Sequence, residues 1–234
     1  MKKLMYFTLL IVLSCASTPQ SSGNKQFNAF YEMGLSYMQE AKYQDAFVQF
    51  QKALKDDPNN QFVLNALGLI YLKFEDLNKA EQSFIAALNI DGDYSRAHNN
   101  LGVVFSREKK WDKAAVQFEN ALKNLTYSSP GEAYYNLGNA YYRLKKYKTA
   151  IKNYKNALRR SPGFYIVYYG LALCYNMIEE YGDAAFFLAE GIKADPEIKG
   201  SRGKAADVFS ARLARTVDDD SRKDYHDLME ILNY

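Results

Sequence analysis

The chain is poor in the residues from which chemical sites are built. Two cysteines and two histidines in 234 residues leave no His/Cys/Asp grouping at metal-ligand spacing. A glycine-rich phosphate loop and a nucleophile elbow are also missing, so an active-site search has nowhere to start and the chain reads as a non-enzyme without a cofactor. Five prolines and thirteen glycines argue against a loop-rich or disordered chain. The net charge is +3, and Lys2 and Lys3 supply two of those charges. That lacks the concentrated basic balance of a nucleic-acid binder, and nothing points to a small-molecule substrate. Membrane-length apolar runs are missing too: the stretch from Leu4 to Leu13 is half of the roughly 20 residues a bilayer span needs.

That short run has another reading. Lys2 and Lys3 form a positive start, the apolar stretch follows, and Ser14-Cys15-Ala16 supplies small residues: the layout of an export signal over residues 1–14. Val12-Leu13-Ser14-Cys15 resembles the lipobox of bacterial lipoproteins, whose cysteine receives a diacylglycerol and becomes the new N-terminus; an ordinary cleaved signal is the alternative. Ala16 and Ser17, with no aspartate after the cysteine, resemble the sorting signal of lipoproteins sent to the outer membrane. The resemblance implies lipidation at Cys15 and a protein held at the bacterial outer membrane, facing the periplasm. Two or more acyl chains anchor stably where one does not. Residues 15–26, with Ser, Thr, Pro and Gly, read as a flexible tether.

What the chain does have is a repeat. Gly34, Gly68 and Gly102 are 34 residues apart, Gly138 follows after 36, and Ala172 stands 34 beyond it. Tyr37, Tyr71, Phe105, Tyr141 and Tyr175 come three residues after these small residues. Ala46, Ala80, Ala114, Ala150 and Ala184 come twelve after them, and Phe50, Phe84, Phe118, Tyr154 and Leu188 sixteen after. A 34-residue period is that of the tetratricopeptide repeat (TPR), a helix-turn-helix unit. The expected fold is therefore all-α, a TPR solenoid with repeats at 27–60, 61–94, 95–128, 131–164 and 165–198. Small residues sit where paired helices approach closely, and the aromatics fill the space opposite. One pair cannot bury its apolar face alone, so stacked pairs share a core. Beyond 198 the period fades: Ala205, Phe209 and Leu213 share one helical face, and Tyr225, Leu228, Met229 and Leu232 another. Residues 199–234 read as two capping helices or a degenerate sixth repeat.

The repeat also assigns the odd residues. Trp111 occupies a turn-proximal packing slot, His98 a slot held elsewhere by Phe30, Leu64, Tyr134 and Tyr168, and Cys174 a core position. The first helix of each TPR lines the concave groove, so groove-facing offsets follow from the alignment. They give Tyr31, Asn65, Asn99, Tyr135 and Tyr169; then Leu35, Leu69, Val103, Asn139 and Leu173; then Met38, Leu72, Ser106, Tyr142 and Asn176. The next residues, Gln39, Lys73, Arg107, Arg143 and Met177, form an edge with three consecutive basic side chains. An apolar, tyrosine-rich floor with a basic rim suits a protein or peptide partner that carries acidic groups.

The period breaks once, before the fourth repeat. There, Tyr127, Pro130, Asn136 and Gly138 resemble a junction of the type IV pilus pilotins, outer-membrane TPR lipoproteins of the PilF, PilW and Tgl kind. Ser128 stands where that family tends to carry a further proline. The resemblance implies a role in bringing the pilus secretin to the outer membrane and assembling its multimeric ring, with a secretin segment as the partner. An adaptor for another envelope complex, in β-barrel assembly or cell-wall synthesis, is the alternative.

Overall fold

The computed structural model describes residues 25–234. The expected signal segment, Cys15 and the tether as far as residue 24 lie outside the described residues. Among the described residues every regular element is an α-helix. Five hairpins come first: α1 (Lys25–Gln39) with α2 (Tyr43–Asp56), α3 (Gln61–Lys73) with α4 (Leu77–Ile90), α5 (Ser95–Arg107) with α6 (Trp111–Lys123), α7 (Pro130–Arg143) with α8 (Tyr147–Arg160), and α9 (Ile166–Met177) with α10 (Tyr181–Ala194). Then come α11 (Arg202–Arg215) and α12 (Asp219–Ile231). Each hairpin falls in one period of the sequence, with α7 beginning one residue ahead of the expected 131–164. Lys25 and Gln26, expected in the tether, are instead the first residues of α1.

The break in the period falls in the stretch 124–129 between α6 and α7, where Leu125 is 98% exposed. Pro130 opens α7, a position where its missing N–H would have no helical partner anyway. The chain divides here into two compact units, one ending at Ser129 and the other running from Pro130 to Tyr234.

In the first unit the second helix of every hairpin buries the same three positions: Ala46, Phe50 and Ala53; Ala80, Phe84 and Ala87; Ala114, Phe118 and Ala121. A Cβ at Gly34, Gly68 or Gly102 would lie within 2.6 Å of the ring of Phe50, Phe84 or Phe118. Glycine therefore sets the close approach of the two helices. The turns recur as well. Ala41, Glu75 and Lys109 take positive φ near 60° (57, 60 and 58). The amide two residues past each first-helix cap reaches back in a six-residue bond: Lys42 to the Tyr37 carbonyl (2.8 Å), Asp76 to Tyr71 (3.0 Å), Lys110 to Phe105 (2.8 Å). That is the Schellman ending, built here without glycine.

The second unit repeats the scheme with one change. Tyr154 replaces phenylalanine, and a Cβ at either Gly138 or Gly170 would lie 2.6 Å from its ring. Its hydroxyl donates to Asn139 Oδ1 at 2.6 Å. In the fifth repeat Ala172 replaces the glycine and Leu188 the aromatic, both buried. Lys145 and Glu179 hold the positive-φ turns. The last two helices depart from the pattern: α12 packs on α9 and α10, and α11 chiefly on α12. Ser201 and Asp218 cap them by accepting from the amides of Lys204 and Ser221. Their buried faces include Ala205 and Phe209 of α11, and Tyr225, Leu228 and, just past the end of α12, Leu232; Leu213 and Met229 are partly buried against this core.

Candidate functional site

The first helices of the hairpins carry the expected groove residues. In the first unit most of that floor is closed. Tyr31, Met38, Asn65, Leu69, Leu72, Asn99 and Val103 are all buried, and Leu35 is half-buried. Tyr31 stacks on Phe27 (ring centroids 5.9 Å) and leans on Phe50 (5.8 Å); burial pushes its hydroxyl pKa up. Asn100 Nδ2 donates to Asn65 Oδ1 at 2.9 Å, linking α5 to α3. Ser106 Oγ donates to the Gly102 carbonyl at 2.9 Å. The rim is different. Gln39, Lys73 and Arg107 are exposed. Lys73 lies over the Tyr43 ring at 5.6 Å, and Arg107 Nη1 donates to the Leu72 carbonyl at 3.1 Å. In both residues the cationic end itself makes the contact, and the side chains stay exposed.

In the second unit the expectation of an open groove is corrected, because the chain's own C-terminal helices use these side chains. Arg143 holds Asp224 of α12 through both terminal guanidinium nitrogens, Nη1 donating to Oδ1 at 2.9 Å and Nη2 to Oδ2. The Tyr142 hydroxyl donates to the same carboxylate at 3.2 Å. Burial pushes the Asp224 carboxyl pKa up, and the charge and hydrogen bonds of Arg143 act against that rise. Tyr169 donates to Asp195 Oδ2 at 2.8 Å and packs edge-on to Phe209 of α11 at 5.3 Å. Arg212 of α11 bridges Asp195 (2.9 Å) and Glu197 (2.7 Å). Asn176 accepts from the Tyr234 hydroxyl at 2.8 Å. Tyr135 and Leu173 are buried, Tyr135 beside Phe164 at 5.0 Å, and Asn139 is half-buried under Tyr154. Met177 alone of this set is exposed. Arg143 thus belongs to an internal ion pair and leaves the expected basic rim.

Repeat offsets alone miss Asp195, Arg212 and Asp224. One signal was present: Asp224 lies on the same helical stripe as Tyr225, Leu228 and Ile231, and a carboxylate on an apolar stripe requires a partner. His98 is half-buried between Gln117 Oε1 (2.7 Å) and the Gly92 carbonyl (2.9 Å). Cys174 is a buried free thiol whose pKa burial pushes up, and Trp111 is half-buried at the start of α6. Among the described residues there is no His/Cys/Asp/Glu group able to hold a metal, and no helix long and apolar enough to cross a membrane.

Tetratricopeptide-repeat family models match residues 37–102 and 131–164. A protein of uncharacterised function from Haemophilus influenzae is 32% identical over 129 residues, covering 54% of this chain and 72% of that one. The chain belongs to the TPR family. The type IV pilus assembly protein PilF of Pseudomonas aeruginosa is 26% identical over 110 residues, covering 47% of this TPR protein but only 44% of PilF. The crystal structure of PilW, described as a widely conserved type IV pilus biogenesis factor, superposes with a TM-score of 0.71 at 22% identity, covering 89% of this chain and 99% of PilW. At that identity the likeness speaks to fold. The TPR protein described here is thus related to PilF and shares the fold of PilW.

Proposed function

We propose that this TPR protein is a lipid-tethered scaffold of the bacterial outer membrane that acts as a pilotin, binding a segment of the pilus secretin and aiding its delivery and multimerisation. The observation that carries the reading is the relationship to the pilus assembly protein PilF, joined to a PilW-like fold over most of the chain. Lipidation at Cys15 would fix the scaffold at the membrane and raise the local concentration of its client for each further binding step. No step requires catalysis by the chain. The client contacts would centre on the first unit, on half-buried Leu35 and the exposed rim of Lys73 and Arg107, because α11 and α12 take the corresponding side chains of the second unit.

The deciding experiment deletes the gene in its host and measures heat-resistant secretin multimers in the outer membrane. Loss of multimers, restored by the wild-type gene and poorly by Lys73→Glu with Arg107→Glu, supports the reading. Normal multimers in the deletion strain end it.

A further inference from the structure

The face of α8 that points away from its hairpin partner departs from the rest of the molecule. Between Glu132 and Glu179 the sequence has no acidic residue. Within that stretch Lys148, Lys152, Lys155 and Arg159 recur at i, i+4, i+7 and i+11 along α8, and all four are exposed. They form a single stripe about 16 Å long. The repeat supplies its own control, because the four equivalent positions of α2, α4, α6 and α10 hold at most one basic residue each: Lys55, none, Lys123 and Lys193. The stripe is therefore not a by-product of the repeat. Among the described residues none of the four pairs with a carboxylate: Lys155 donates to the Tyr175 hydroxyl at 2.8 Å, and Arg159 to Asn156.

An apolar group stands beside these charges. The Lys155 ammonium lies over the Phe187 ring at 5.9 Å, Phe187 touches Phe186 with ring centroids 5.2 Å apart, and Phe186 is 57% exposed. We infer that the basic stripe of α8, with Phe186 of α10 at its side, is a docking surface for a membrane bearing anionic phospholipid.

Three features favour that partner. Lysine dominates, and a lysine is a point charge on a flexible stem, suited to a diffuse negative surface rather than to the two-pronged recognition of one carboxylate. Phe186 is flanked on one side of α10 by exposed Ala189 and Gly182 and on the other by Asp183 and Glu190, so the ring and its small neighbours can enter the headgroup layer while the lysines of α8 stay in its field. The aromatic stands beside the charges, not between them as a base-stacking platform requires. The inference rests on the lipid-tether reading only for what brings the fold to a membrane. Seated this way, the stripe would restrict how the tethered scaffold turns on its leash.

The test is vesicle co-sedimentation of the full chain. Vesicles of phosphatidylglycerol mixed with phosphatidylethanolamine are compared with vesicles of phosphatidylcholine alone, which read the purely apolar contribution. Each basic residue near an anionic surface strengthens binding about fivefold. The triple variant Lys148→Gln, Lys152→Gln, Arg159→Gln should therefore lower the anionic-over-neutral preference on the order of a hundredfold, with unchanged helicity by circular dichroism. A charge-matched control, Lys55→Gln, Lys113→Gln, Lys123→Gln, should keep most of that preference. Phe186→Ala should weaken binding to anionic vesicles a few-fold without altering its salt dependence. The inference is overturned by an equal fall in both triple variants, or by wild-type protein that does not prefer anionic vesicles. It is equally overturned if the stripe variant loses binding only to polyglutamate or a single-stranded oligonucleotide. Radiolabelled palmitate incorporation reads the Cys15 tether separately, so either idea can fail alone.

Discussion

Five hairpin turns place a side chain other than glycine in left-handed backbone: Ala41, Glu75, Lys109, Lys145 and Glu179. That conformation costs an L-residue about 1–2 kcal/mol, and glycine gives back part of the gain through the freer unfolded chain. Lys109→Gly and Glu75→Gly should each stabilise the protein by about 0.5–1 kcal/mol, read as a higher urea midpoint at unchanged slope. Glu132 is a second residue with a cost. Its Oε2 is buried without a partner, and burial raises its pKa to about 7 from the ordinary 4.5. The folded state then holds this proton more tightly than the unfolded one, so its contribution is full below about pH 4.5 and is lost as pH rises through about 7. Glu132→Gln should flatten that decline and add roughly 1 kcal/mol at pH 8, after allowance for partial exposure. At this scale legibility was uneven. The glycine–aromatic pairs could be read because both members recur with the period, whereas the turns could not be placed by a C-cap glycine, since there is none.

At the scale of elements, α12 adds one buried carboxylate, Asp224, to the apolar face that holds it. Removing a single partner of a buried ion pair strands the other charge and costs about 3–5 kcal/mol. Asp224→Ala should therefore loosen α12 from the C-terminal end of α7, lowering the unfolding midpoint and the hydrogen-exchange protection of residues 219–231 while α1–α6 keep theirs. The existence and faces of α11 and α12 were readable, because Tyr225, Leu228 and Leu232 fall on one side of a helix. Their docking place was not. The reading of Tyr142, Arg143 and Tyr169 as groove residues assumed that nothing covers the first helices. Their partners lie 82, 81 and 26 residues away in the chain, and no local pattern links such pairs. Arg143 in particular occupies a rim offset and an internal ion pair at once, so spacing alone could not separate the two roles.

At the scale of the whole molecule, the single break in the period coincides with the seam between two compact units. The seam carries exposed Leu125 and half-buried Tyr127, outside any helix. Dilute chymotrypsin should cut there first, leaving two resistant fragments, one ending near residue 125 and the other beginning near residue 128, identified by mass spectrometry. Early cuts inside α3 or α8 would contradict this division. Within the second unit, Tyr154 lies in contact range of Gly138 and of Gly170, residues of two different repeats. One ring thus serves as a rivet through two plates. The energy of that ring cannot be divided between the fourth and fifth hairpins, so a ledger of separate per-repeat stabilities fails there. Melting of either hairpin drags the other with it, as one shared event where a plain array would fray plate by plate.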